Sequence, residues 1–124
     1  MQIMTFGVKS EREALREFVA AVKEAQKGLP RSGPKEVAYF TSLAAVRNFL
    51  TPKRLELLHL IKSKNPESIY SLAKSARRSF PSVLKDVELL SRHGLIKLTK
   101  KERSPRRSIR ARVSYDAIHL YIGV

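Results

Sequence analysis

Cysteine is absent from the 124 residues, which removes disulfide frameworks, thiolate metal sites and cysteine nucleophiles together. Histidine is scarce, and His59, His93 and His119 are too scattered to match a metal-ligand spacing. Asp86 and Asp116 are the only aspartates, so a zinc site or an Asp-His-Ser relay is disfavoured. The five glycines stand singly at positions 7, 28, 33, 94 and 123, and none belongs to a glycine-rich phosphate cradle. These gaps argue against an enzyme, and no pattern calls for a cofactor. No apolar run approaches the ~20 residues of a membrane span. The segment Met1 to Val8 also lacks a basic region ahead of its apolar residues. A soluble, cytoplasmic protein is expected.

Acidic residues are few as well. Eleven Asp and Glu face 25 Lys and Arg, giving a net charge of +14. Self-repulsion on that scale disfavours compaction and points to a polyanionic partner, nucleic acid ahead of an anionic membrane surface. An apolar share of 43% argues for a folded chain, and its length suits a single modest core. The charge is uneven: residues 1–50 hold 8 basic and 5 acidic side chains, and residues 51–124 hold 17 and 6. The C-terminal half therefore carries the anion-binding burden.

Met1 to Val8, rich in apolar residues, predicts a short strand. Ser10-Glu-Arg-Glu13 forms a capping box that starts a helix. Leu15, Phe18, Val19 and Val22 give that helix an apolar stripe, and Lys27-Gly28 ends it. Two destinations suit the stripe, a dimer partner or the chain's own core. Leu29 to Pro34 is a loop by composition. Val37 to Phe40 predicts a strand leading to a helix capped by Thr41, with Leu43, Val46, Phe49 and Leu50 inward. Thr51-Pro52 caps a further helix through about Lys62, with Leu55, Leu58, Ile61 and also Leu57 toward the core. Asn65-Pro66 ends it.

Ser68 caps a two-turn helix with Ile69, Leu72 and Ala73 inward. Arg77-Arg-Ser79 is a turn, and Ser79 caps a longer helix that tolerates Pro81 in its first turn. Phe80, Val83, Leu84, Val87 and Leu90 form its predicted buried stripe, leaving Ser82, Lys85, Leu89 and Arg92 opposite. Asp86 is expected to pair locally with a cation such as Arg54. His93-Gly94 closes the helix. Alternation then predicts two antiparallel strands, one with Ile96 and Leu98 inward, the other with Ile109, Ala111, Val113 and Tyr115 inward. Between them Lys100 to Arg107 is too polar to pack. A last strand, with Ile118, Leu120 and Ile122 on one side, needs a partner: either Met1 to Val8 or a second subunit.

The runs Phe49-Leu-Thr-Pro-Lys-Arg-Leu-Glu-Leu-Leu58, Pro66-Glu-Ser68, Leu72-Ala73, Val83-Leu-Lys-Asp-Val87 and Leu90-Ser-Arg-His-Gly-Leu-Ile96 resemble a group of winged-helix transcriptional regulators of bacteria and archaea related to the MarR superfamily. Some members of that group are assigned as antitoxins. The similarity spans roughly Tyr39 to Ile122. It implies an α+β fold: a winged helix-turn-helix with an added N-terminal helix and a short terminal strand. The parts would be an N-terminal helical arm over 1–50, a DNA-binding core over 51–115 and a C-terminal strand over 116–124. The resemblance implies a dimer on pseudo-palindromic DNA, a recognition helix over 79–93 and a basic wing over 99–109.

On this reading Ser82 and Lys85 are the leading base-edge candidates in the major groove. Arg77 and Arg78 lie near phosphates with Ser79 and the start of the helix, and Arg92 extends the same face. Lys97 to Arg112 holds eight basic residues and one acid, Glu102. Lys100, Lys101, Arg103, Arg106, Arg107 and Arg110 are the expected wing contacts, able to reach a narrow minor groove. Leu15, Phe18, Val19 and Val22 are the expected dimerisation residues. Two rival readings share the charge: an antitoxin that binds a protein toxin and regulates its own operon, and an RNA-binding winged helix.

Overall fold

The computed structural model describes residues 1–28, 37–100 and 109–122. The fold is α+β. Among the described residues, five helices accompany a three-stranded sheet and a separate two-stranded one. The chain divides into two compact units, one of residues 3–49 with 117–124, the other of residues 1–2 with 50–116.

The first unit contains β1 (Ile3–Val8), α1 (Glu11–Gln26), β2 (Val37–Phe40), α2 (Leu43–Phe49) and β5 (Ala117–Ile122). Its sheet runs in the order β2-β1-β5, with both pairings parallel. The terminal strand thus takes β1 as its partner. Phe6, fully buried, is the centre of this unit, with the rings of Phe40 and Phe49 at 5.6 and 6.0 Å from its own. Met4 and Val46 are buried as well.

Ser10 caps α1, its Oγ accepting from the Glu13 amide at 3.2 Å. The α1 stripe is not in the chain's own core: Leu15, Phe18, Val19 and Val22 are all exposed. Lys9 pairs with Glu17 and stands over the Tyr39 ring, 3.4 Å from its centroid. Burial works against the Lys9 ammonium, yet Glu17 and Tyr39 outweigh it and hold its pKa above the usual value.

Two expectations for this unit need correction. The cap of α2 is Ser42 rather than Thr41, with Ser42 Oγ accepting from the Ala45 amide at 3.1 Å. Two residues are needed to turn the chain after β2 ends, so the cap falls one position later. Leu43, in the first turn of α2, is exposed. In β5, Leu120 and Ile122 are also exposed, because α2 covers the sheet with Val46 and Phe49 near β1 and β2, and β5 is an edge strand.

The second unit contains α3 (Pro52–Lys64), α4 (Ile69–Ala76), α5 (Phe80–Arg92), β3 (Lys97–Thr99) and β4 (Arg110–Arg112). Leu57, Leu58, Ile61, Ile69, Leu72, Val83, Val87, Leu90 and Leu95 are buried in a single helical core. Thr51 caps α3, its Oγ1 accepting from the Arg54 amide at 3.3 Å. The helix runs two residues past Lys62, to Asn65 in the left-handed region, a conformation Asn tolerates well. Leu55 is exposed rather than inward. At 3.6 residues per turn it lies about 100° around the wheel from the stripe of Leu57, Leu58 and Ile61.

On α5 the predicted stripe shifts: Phe80 and Leu84 are half-buried, and Asp86 joins Val83, Val87 and Leu90 inside. β3 and β4 pair antiparallel, but β4 is limited to three residues, leaving Val113 and Tyr115 beyond it, half-buried. The Ile69 amide donates to the Ile109 carbonyl at 2.9 Å and ties the start of α4 to this strand.

Candidate nucleic-acid interface

The second unit carries 17 basic and 6 acidic side chains by sequence. Its local geometry starts with caps. Ser68 Oγ accepts from the Ser71 amide at 3.0 Å and opens α4. The helix ends as Arg77 enters the left-handed region, φ 56°, while the Arg78 amide reaches back to the Ala73 carbonyl at 3.1 Å. A non-glycine residue in that region costs about 1 kcal/mol, so the turn is held by its surroundings. Ser79 then caps α5, its Oγ accepting from the Ser82 amide at 3.4 Å. The Ser79 hydroxyl also donates to Ser82 Oγ at 2.8 Å, which leaves the Ser82 proton to donate elsewhere.

Ser82, Lys85 and Arg92 are exposed and lie within a quarter-turn of each other on the wheel of α5, opposite Val83, Val87 and Leu90. Leu89, half-buried, interrupts that face. Arg77 and Ser79 are exposed at the turn, and Lys100 is exposed after β3. Lys101, Arg103, Arg106 and Arg107 lie outside the described residues. Two candidates are drawn inward. Arg110 is half-buried and its Nε has no hydrogen-bond partner among the described residues. Arg78 is four-fifths covered and donates from Nη2 to Asp86 Oδ2 at 2.7 Å.

Asp86 also accepts from Arg54 Nε at 3.2 Å, so one carboxylate joins α3, the turn and α5. The Arg54 pairing was legible from sequence; the Arg78 pairing was missed. The signal for it was positional: Asp86 falls three and four residues from Val83 and Leu90, on the flank of the buried stripe. A carboxylate there needs cationic partners.

The hairpin supplies a second feature that the candidate list omitted. Lys97 and Arg112 face each other directly across β3 and β4, both exposed. Like charges at opposed positions of an antiparallel pair repel. Strand alternation carried the signal, since it puts Lys97 and Thr99 on the same side of the pair as Arg112.

Among the described residues, no group of three or more His, Cys, Asp or Glu side chains could hold a metal ion. Nor is any helix among them long and apolar enough to cross a membrane. Among curated proteins, none is significantly similar to this chain. The family model HVO_A0114 matches residues 49–120, which takes in every element from α3 to β4 and most of β5. With more than half of its length covered, the chain belongs to the HVO_A0114 family.

Proposed function

We propose that the segment from α3 to β4 is a winged helix-turn-helix that binds double-stranded DNA, and that the chain acts as a homodimeric transcriptional regulator, most simply a repressor. α5 is the recognition helix: Lys85 donates to base-edge acceptors and Ser82 donates its hydroxyl proton beside it. Arg77 and Arg92 flank them at the two ends, where phosphates pass. The strand pair β3–β4 and the basic residues between them form the wing. Arg78 serves the interface indirectly, by fixing the turn through Asp86.

The observation that carries this reading is the opposed pair Lys97 and Arg112. A short two-stranded ribbon that sets cation against cation gives up stability, and a phosphate backbone lying along it would reverse the sign of that interaction. The exposed stripe of Leu15, Phe18, Val19 and Val22 supports dimerisation, which would set two recognition helices about 34 Å apart on the duplex.

The test is a titration of fluorescent random-sequence duplex DNA, and of single-stranded RNA, across a salt series. If six to ten phosphates are neutralised, duplex affinity falls about 10³- to 10⁵-fold between 50 and 200 mM salt. Lys97→Thr should lower the salt slope by about one while raising stability by a few tenths of a kcal/mol, roughly 0.2–1. Tighter binding to single-stranded RNA, or loss of stability in Lys97→Thr, would overturn the assignment. Selection from a random duplex pool with Lys85→Ala then tests whether α5 sets the preferred sequence.

A further inference from the structure

The first unit leaves both halves of a normal packing contact open. In a β-α-β crossover the helix ordinarily lays its apolar stripe on the sheet, and parallel sheets are ordinarily covered on both faces. Here Leu15 is 63% and Phe18 66% exposed. The residues of α1 that approach the body of the unit lie on its other side: Ala21 and Glu24 are half-buried, and Glu17 holds Lys9. On the wheel, Glu17, Ala21 and Glu24 stand roughly 140° from the centre of the apolar stripe. The stripe therefore points away from its own sheet.

The sheet has a matching face that is only partly covered, where Lys9, paired with Glu17 of α1, stands over Tyr39. Pairing register places Thr5 and Gly7 of β1 on one face with Tyr39 of β2 and with His119 and Tyr121 of β5. Tyr121 is 66% and Tyr39 46% exposed. The Tyr39 ring lies across Gly7, where a Cβ would come within 2.5 Å of its Cε1. The opposite face buries Met4 and Phe6 and opens at the β5 edge, where Leu120 and Ile122 are exposed.

We propose that a second copy of this chain covers both, α1 of each copy docking its stripe on the Tyr39–Tyr121 face of the other. The two helices lie side by side in one layer between two sheets, each facing its own sheet with the Glu17 side and the partner's sheet with the Phe18 side. Because each copy gives a helix and receives one, the contact closes as a two-fold dimer.

Two further points favour a second copy as the occupant. Both surfaces belong to this chain and match in character, Leu15, Phe18, Val19 and Val22 of the stripe and Tyr39 and Tyr121 of the face being each 40–66% exposed. Charge also permits it: the first unit holds 8 basic and 5 acidic side chains, a net of +3 out of the chain's +14. Two like-charged molecules can approach through that unit at least electrostatic cost. This inference rests on the homodimer reading above and adds what the stripe contacts.

The chain has no native cysteine, so full-length Phe18→Cys and Tyr121→Cys chains, distinguished by isotopic mass, can be mixed and mildly oxidised. The expected product is the mixed disulfide, in excess of either self-pair. Self-pairing of Phe18→Cys alone would mean helix-to-helix contact, and self-pairing of Tyr121→Cys would mean edge-to-edge contact of β5. Either result overturns the docking while leaving the homodimer standing. A monomer mass for the unmodified chain in sedimentation equilibrium, with no cross-link in any mixture, would overturn both. As a second variant, Phe18→Asp should convert the dimer to a monomer with its circular dichroism unchanged, and a persistent dimer would refute the contact.

Discussion

The two units treat their apolar residues in opposite ways. In the helical unit most of the large apolar side chains of α3, α4 and α5 converge, and exposed cations stand outside, among them Arg77, Lys85, Arg92, Lys97 and Arg112. In the strand unit the aromatic cluster of Phe6, Phe40 and Phe49 lies on one face of the sheet, while Phe18, Tyr39 and Tyr121 stand exposed. By sequence, +11 of the net charge of +14 belongs to the helical unit. The contrast teaches that charge and uncovered apolar surface are kept in separate parts of the fold, as a chain that both holds a polyanion and self-associates, in the way proposed above, would require.

Four measurements would break or sharpen that contrast. The largest effect is expected from Phe6→Ala, which empties the centre of the strand unit and should cost about 3–5 kcal/mol there. Hydrogen exchange should show lost protection in β1, with the amides of α4 and α5 unchanged. Equal loss in both units would mean that they unfold together. Next, Asp86→Ala leaves Arg54 and Arg78 without their shared carboxylate and should cost about 3 kcal/mol in the helical unit alone, read from a denaturant titration.

A smaller change is expected from Arg77→Gly. Relief of the left-handed conformation should raise stability by up to about 1 kcal/mol, while loss of the cation weakens duplex binding and reduces its salt slope by about one. The smallest effect concerns acid. The Gln2 amide donates to Asp116 at 2.9 Å and Lys62 stands 3.2 Å away, and together they hold the Asp116 carboxyl below the usual carboxylate range. Its contribution is present above the unfolded pKa of about 4 and is lost as pH falls through the lower folded value. An acid titration with Asp116→Asn as the reference should show a shallower stability loss in the variant.

Much of this was legible in the chain. The caps at Ser10, Thr51, Ser68 and Ser79 appear where they were expected, because in each a side-chain oxygen accepts from the amide three residues on. The turn at Arg77-Arg78-Ser79, the closure at Gly94 with φ 79° and the antiparallel β3–β4 pair follow from equally local signals. The cap of α2 was misplaced by one residue because Thr41 and Ser42 are adjacent hydroxyls and only backbone direction chooses between them. Leu55 was misjudged because α3 is rich in leucine, so several apolar stripes can be drawn on it.

In the candidate site, the exposed face of Ser82, Lys85 and Arg92 could be read from helical period. The inward turn of Arg78 and Arg110 could not, since an arginine's long stem lets its charge point either way.

Sequence by itself determined where α1, α3, α4 and α5 begin, which side of α5 is polar, and that positive charge gathers in the second half of the chain. Each depends on residues within one or two turns of one another. Tertiary structure alone decided that β5 pairs with β1, more than 110 positions away, that both pairings of that sheet are parallel, and that α1 carries its apolar stripe outward. Alternating apolar residues ask only for a neighbouring strand and a covering layer. Which segment supplies them, and from which direction, depends on the simultaneous packing of the whole unit.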